Sequence, residues 1–503
     1  MSAHVVGPRA VGECRDVDTS TGDRSVREHA LLIGGELAVA AETFDRADPA
    51  HPQRLTGRFG AAAGTDVARA YAAAAEAADG WARTSAVQRG EVLRRAADLL
   101  EGRTEEAARR LTADMGKAIR DARAEAGRSV AILRYHAADA LQPSGATYPS
   151  AEPDTLLMTI SEPVGVVCAI TPWNFPLAIP AWKLAPALAC GNAVVWKPAA
   201  AASGSALLLA EVLAEAELPP GVLNVLTGSG ATLSEPLTSD PSLAALTFTG
   251  SVEVGNDVQS AAVARGAKVQ LELGGKNPAV VLADADLERA AESVAAGAML
   301  ATGQRCTATS RVYVQSAAYE RFVSLLVERV EALRVGDPYD ESTDVGPLAF
   351  AERLQAVRAY LEMAHEGGAA ILAGGTAGDP ADGYYVAPTV LAEVPTDSPL
   401  LREEIFGPVV VVAPVPDLDA GIEAANDTPF GLSASLFSSD LDSALTFARR
   451  IASGQVHINR ETAGAEPHVP FGGMKGSSNL QREQGKAARR FFTNSKTVYV
   501  RPR

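Results

Sequence analysis

At 503 residues the chain exceeds what one hydrophobic core supports, so two or more packed lobes are expected. Hydrophobic residues make up 47% and charged residues 21%, enough apolar surface for most of the chain to fold. The formal charge of −16, from 45 Lys and Arg against 61 Asp and Glu, repels phosphate backbones and anionic bilayers, which argues against nucleic acid and membrane as partners.

Residues 1–30 mix arginines with acids, lack an apolar signal-like run and read as a flexible polar tail. Apolar residues recur every three or four positions over 66–84 and 87–102, as in amphipathic covering helices. Short β-rich runs follow at 164–170, 193–196, 222–226 and 246–249, separated by helical stretches such as 203–217, which is βαβ alternation and a parallel sheet. The pattern restarts after Gly275 with a strand at 279–282, a helix at 287–300, a strand at 311–315 and a helix at 319–333, giving a second α/β lobe. Strand-like pieces at 155–162 and 496–501 stand outside both alternations and are suited to an arm reaching another subunit. No uninterrupted apolar stretch of about eighteen residues occurs, so no membrane span is expected. Cys14, Cys168, Cys190 and Cys306 are too few and scattered for a disulfide framework, and without a CxxC pair no metal is expected; a reducing cytoplasm fits.

Three islands carry chemistry. Thr171-Pro172-Trp173-Asn174-Phe175-Pro176 follows a strand, and its prolines hold the Asn174 amide in one orientation. Such a donor suits a developing oxyanion, although an asparagine between prolines also caps helices and closes turns. Leu271-Glu272-Leu273-Gly274-Gly275-Lys276-Asn277-Pro278 ends a strand with a carboxylate, a general base if partly desolvated and a plain surface glutamate if not. Thr302-Gly303-Gln304-Arg305-Cys306-Thr307 sets a thiol beside an arginine. A free thiol is only a few per cent ionised near neutrality, so a catalytic one needs a donor, cation or base, with Arg305 and Glu272 as candidates. The alternative is a small buried hydrophobe, the expected fate of Cys168 and Cys190.

Together the islands, with Glu272 lying 98 positions after Asn174 and Cys306 a further 34 on, resemble the aldehyde dehydrogenase superfamily from about residue 31 to the C-terminus. The motifs Trp196-Lys197-Pro198, Phe248-Thr249-Gly250-Ser251 with Gly255, Glu403-Glu404-Ile405-Phe406-Gly407-Pro408 and Pro470-Phe471-Gly472-Gly473-Met474-Lys475 agree. The resemblance implies an α/β fold with a Rossmann-like cofactor domain (31–144 and 164–274), an α/β catalytic domain (275–488) and a β-arm for oligomerisation (145–163 and 489–503), assembled as a homodimer or homotetramer. It also implies that Cys306 attacks an aldehyde to give a thiohemiacetal, that Asn174 and the Cys306 N–H hold the oxyanion, that hydride passes to NAD or NADP, and that Glu272 activates water against the thioester. Glu272 sets the chain apart from the coenzyme A-acylating relatives. The intact Asn174, Glu272, Cys306 and Glu404 argue against a catalytically silent binding relative, and the cofactor motifs against a plain esterase.

For the cofactor, the resemblance implies Ile170, Thr171 and Pro172, Lys197 at the adenosine ribose, Thr249, Gly250, Ser251 and Val254 around a helix N-terminus facing the pyrophosphate, Leu273 and Gly274, Glu404 at the nicotinamide ribose, and Trp173, Phe248 and Phe406 lining the cleft; the βα turn Gly228-Ser229-Gly230 after the strand at 222–226 approaches the adenosine half or is a plain turn. Ala200 stands where many NAD-preferring relatives carry a glutamate, so NADP should be tolerated or preferred. The segments 303–310 and 459–470 resemble the bacterial branch that includes 2-oxoglutarate semialdehyde dehydrogenases. A carboxylated aldehyde is then the leading substrate, with Arg305 and His468 as anion-binding candidates, unless each is an ion-pair partner or solvent-facing. Trp182 and Leu300 replace the arginine pair of animal succinate semialdehyde dehydrogenases and suit apolar or aromatic aldehydes equally well if they face the tunnel.

Overall fold

The computed structural model describes residues 26–502. Most of the expected 1–30 tail, with Cys14, lies outside the described residues, whereas Glu28 and His29 already pair in parallel with His51–Ala61.

Along Val166–Thr171 the side chains alternate between two cores. Val166 and Cys168 pack with Val67, Ala70 and Tyr71 of the helix Gly64–Arg83, while Val167 and Ala169 pack with Leu93, Ala97 and Leu100 of the helix Ala86–Gly102. Burial on both faces is why this strand reads as a continuous apolar run. It sits within a seven-stranded sheet ordered Lys268–Glu272, Leu243–Thr249, Val166–Thr171, Ala193–Pro198, Leu223–Val225, Leu31–Ile33, Glu36–Ala38. The first five strands are parallel, and the last two form an antiparallel hairpin at one edge. The chain builds this sheet outward from Val166–Thr171 in one direction, then crosses over to add Leu243–Thr249 and Lys268–Glu272 on the other side. The reversal leaves a crevice at the carboxyl ends of Val166–Thr171 and Leu243–Thr249, where ligands of doubly wound sheets bind. The Asn174 and Gly250 motifs sit at those two ends.

A second seven-stranded sheet, ordered Ala370–Ala373, Thr389–Ala392, Val409–Val415, Thr309–Gln315, Asn277–Val281, Ser433–Phe437, Gln455–Ile458, holds its own cores. Helices Leu287–Met299 and Tyr319–Glu331 pack on it. A third sheet pairs Thr493–Val500 antiparallel with Leu156–Pro163, in register from Thr493 opposite Pro163 to Val500 opposite Leu156, with Thr147–Tyr148 on the far edge. The α/β class and the outlying strand pair follow the periodicity. Several helices are not read from the sequence, among them Thr104–Met115, Ile119–Asp139 and Ala351–Glu366, and Ala178–Ala189, which is buried throughout and so lacks the polar face that marks a helix in sequence. Among the described residues no helix is long and apolar enough to cross a membrane.

Candidate active site

The loop before Cys306 is held in an unusual shape. Ala301 (φ 52°) and Thr302 (φ 57°) adopt left-handed backbone conformations that non-glycine residues seldom take, followed by Gly303 at φ 65°. Asp121 accepts the Ala301 N–H at 3.1 Å, Thr302 Oγ1 donates to the Gly346 carbonyl at 3.0 Å, and Gln304 Oε1 accepts the Ala349 N–H at 3.1 Å. Asn277 clamps the far side, its Nδ2 donating to the Cys306 carbonyl at 2.8 Å and the Ala308 carbonyl at 2.9 Å while its Oδ1 accepts the Ser433 N–H at 3.0 Å. A Cβ on Gly275 would stand 2.5 Å from the Cys306 carbonyl oxygen, so only glycine lets this backbone come so close.

Asn174 is buried, and its Nδ2 donates to the Gln304 carbonyl at 3.0 Å. One amide hydrogen is thereby spent on the nucleophile loop, leaving the second for a ligand. It caps no helix. The helix Ala178–Ala189 is started instead by Glu125, whose Oε1 accepts the N–H groups of Leu177 and Ala178 at 3.0 and 3.1 Å. The other Glu125 oxygen pairs with buried Lys117, which also donates to the Asn174 carbonyl at 3.0 Å. This buried pair braces Asn174 from a distant helix. Sequence reading missed it, because Lys117 and Glu125 lie about fifty residues before the motif and carry no local signature.

Two cavities meet at Cys306. One, of about 520 Å³, is lined by Pro172, Trp173, Asn174, Thr249, Gly250, Ser251, Leu273, Gly274, Glu404 and Phe406. The other, of about 330 Å³, is walled by Phe175, Ile179, Trp182 and Phe471, with charged side chains from Lys117 to Glu461. Both volumes are in the range that holds small ligands. The first continues the crevice at the strand ends. Trp173 stands edge-on to Phe406 at 5.3 Å between ring centres. Glu404 Oε1 accepts the Gly275 N–H at 2.8 Å, and burial raises its carboxyl to about 7. Ser251 caps the helix Val252–Ala264 at this cavity. Lys197, at the end of its own strand, is buried, makes no side-chain hydrogen bond among the described residues and is lowered to about 8 by burial alone. A Cβ on Gly230 would lie 3.6 Å from its Nζ, so the secondary Gly230 turn and Lys197 do come together. An unpartnered buried amine beside a bare helix start suits ribose hydroxyls.

Other expected residues are placed differently. Phe248 does not line the cleft: it is buried behind it, and a Cβ on Gly250 would lie 2.5 Å from its ring. Thr171 Oγ1 is occupied by the Trp196 indole N–H at 2.9 Å. Val254 is 45% exposed, on the first turn of the helix that Ser251 caps. His468 is exposed and lines neither cavity, because its loop turns the ring outward. Trp182 does wall the second cavity, tilted against Phe471 at 5.5 Å, but Leu300 does not.

Charge at the thiol also differs from expectation. Arg305 lies 3.6 Å from Glu461, an ion pair, and does not hold Cys306 as thiolate. Burial first, and the Glu404 and Glu272 carboxylates next, push the Cys306 thiol well above its ordinary range. Cys168 and Cys190 are free thiols raised to about 12 by burial, as small buried hydrophobes are. Glu272 is buried, its carboxylate oxygens have no side-chain hydrogen-bond partner among the described residues, and its carboxyl lies against the Gly472-Gly473 backbone rather than in either cavity at Cys306. Burial, then the nearby Glu483, raise it well above the carboxylate range, against the opposing charges of Lys183 and Arg482. Lys183 and Glu483 themselves form a buried ion pair, and Lys183 also donates to Thr247 Oγ1 at 2.9 Å.

Residues 38–498 match the aldehyde dehydrogenase family. The chain is 44% identical over 458 residues to an alpha-ketoglutaric semialdehyde dehydrogenase of Bacillus subtilis, covering 90% of this chain and 94% of that protein. It is 41% identical to a 2,5-dioxopentanoate dehydrogenase of Saccharolobus solfataricus, covering 86% and 91%. Among solved structures, an NAD-dependent aldehyde dehydrogenase from Sinorhizobium meliloti superposes with a TM-score of 0.92 at 37% identity, covering 94% of this chain and 95% of that one. A betaine aldehyde dehydrogenase from Staphylococcus aureus in complex with NAD+ superposes with a TM-score of 0.91 at 32% identity, covering 94% of each.

Proposed function

Because the chain belongs to the aldehyde dehydrogenase family, we propose that it oxidises a carboxylated semialdehyde to the corresponding dicarboxylate, with Cys306 as nucleophile, Asn174 at the oxyanion and Glu272 as general base. The observation that carries this reading is the meeting of two cavities at Cys306, one edged by the Asn174 amide. Residues 31–144 and 164–274 are assigned to the cofactor and 275–488 to the nucleophile.

Cys306 gives its proton to solvent water and attacks the aldehyde carbon as thiolate: a C–S bond forms and the carbonyl electron pair moves onto oxygen, from which it returns to re-form C=O as hydride leaves. The free Asn174 amide hydrogen and the Cys306 N–H receive that charge. The nicotinamide, when bound, supplies the acceptor for the hydride that leaves this carbon. Glu272 then takes a proton from water as its oxygen adds to the thioester, the C–S bond breaks with its electrons returning to sulfur, and the carboxylate departs. For Glu272 to do so its carboxyl must move from Gly472 toward Cys306.

The carboxylated substrate is supported by the similarity to the alpha-ketoglutaric semialdehyde and 2,5-dioxopentanoate dehydrogenases and by the charged wall of the second cavity. Absorbance of reduced cofactor should show kcat/KM at least about tenfold higher for a four- or five-carbon aldehyde acid than for the neutral aldehyde of equal length. Better turnover of aliphatic or aromatic aldehydes would sink the substrate class. In the same assay NADP should be tolerated or preferred, since Ala200 supplies no carboxylate to repel a 2′-phosphate. A strong NAD preference counts against that argument.

We further propose a homodimer or homotetramer joined through the arm. Tyr148, Leu156, Tyr499 and Val500 expose apolar surface on this three-stranded sheet, whose open edge is a ready template for pairing. Light scattering should give two or four times the 52.1 kDa chain mass, and a monomer at micromolar concentration would refute it.

A further inference from the structure

On the helix Ile119–Asp139, Asp121, Ala124, Glu125 and Arg128 fall on one face at helical spacing, and all four line the second cavity at Cys306. With Lys117, Arg305 and Glu461 from other segments, this wall carries three cations and three carboxylates. Two of each are already matched. Lys117 pairs with Glu125 and donates to Asn174, and Arg305 pairs with Glu461. Asp121 accepts the Ala301 N–H. Arg128 alone among the cavity's cations has no ion-pair or hydrogen-bond partner among the described residues, and it stands half-buried, two helical turns from Asp121. A cation tied to a carboxylate must break that pair to bind another anion. An unpaired guanidinium has no such cost, and its planar fork matches a carboxylate with two parallel hydrogen bonds.

We propose that Arg128 is the subsite for the carboxylate of the substrate, holding the aldehyde acid by its far end while the aldehyde carbon reaches Cys306. Arg305 instead keeps its place as the partner of Glu461. The proposal rests on the carboxylated-semialdehyde reading above and names the residue that makes the selection. Sequence patterning gave no hint of it, because Arg128 sits in a run of charges indistinguishable from a solvated helix face.

The test compares wild type with Arg128→Gln and Arg128→Lys on succinic semialdehyde and butanal, and adds inhibition by glutarate against the aldehyde. The ratio of kcat/KM for the acid over the neutral aldehyde should fall about 10- to 100-fold in Arg128→Gln, through KM with kcat held, and recover partly in Arg128→Lys. Competitive inhibition by glutarate should weaken by a similar factor. A ratio and a glutarate constant that stay within twofold overturn the proposal, as does an equal loss on both aldehydes. If wild type prefers butanal while glutarate still competes through Arg128, the subsite stands and the substrate class falls.

Discussion

Cys306→Ala is expected to lose aldehyde-dependent reduction of NAD and NADP by at least about 10⁴-fold, with cofactor affinity little changed. The thiol is the atom on which the two cavities converge, and its loop is fixed on both sides, by Asn277 at the Cys306 carbonyl and by Asn174 at the Gln304 carbonyl. Removing Sγ leaves these contacts, which are made by backbone oxygens, so the variant should fold and bind dinucleotide while being unable to form the thioester. Stopped-flow absorbance over one turnover, with protein fluorescence to follow cofactor binding, separates the two. Residual reduction within tenfold of wild type would mean that another group carries the chemistry.

Glu272→Gln is expected to keep the first burst of reduced cofactor and lose steady-state turnover by about 10²- to 10⁴-fold. An amide of nearly the same shape fills the space against Gly472 but takes no proton from water, so thioester forms and then persists. The pH dependence has a definite sign. Burial and Glu483 hold the Glu272 carboxyl protonated beyond the usual carboxylate range, and the Cys306 thiol is raised as well. Both act deprotonated, the thiol before the burst and the carboxyl after it, so kcat/KM should climb with the thiol and steady-state kcat with the carboxyl from neutral toward alkaline pH, and each should fall as pH drops. In Glu272→Gln the burst should retain the thiol's rise while the hydrolytic phase loses its dependence on the carboxyl. A variant that loses burst and turnover together would assign Glu272 to the first half of the reaction instead.

The unusual φ values at Ala301 and Thr302 bear on both experiments. They place the nucleophile at the end of a tight turn whose shape is imposed by Asp121, Gly346 and Ala349 and not by its own residues.

Sequence alone determined the α/β class, the parallel sheet and the outlying strand pair, because local periodicity records which faces are buried: the run at 164–170 appears as Val166–Thr171 and the run at 496–501 overlaps Thr493–Val500. It also determined the residue types at Asn174, Glu272 and Cys306, whose motifs are short and continuous. Tertiary structure alone decided which charges meet. Arg305, adjacent to Cys306 in the chain, is claimed by Glu461, 156 positions away; Lys117 reaches Asn174 across 57; His468 turns outward and Arg128 inward. A side chain's partner is set by the packing of distant segments and by the cost of leaving a buried charge unpaired, neither of which a local pattern contains.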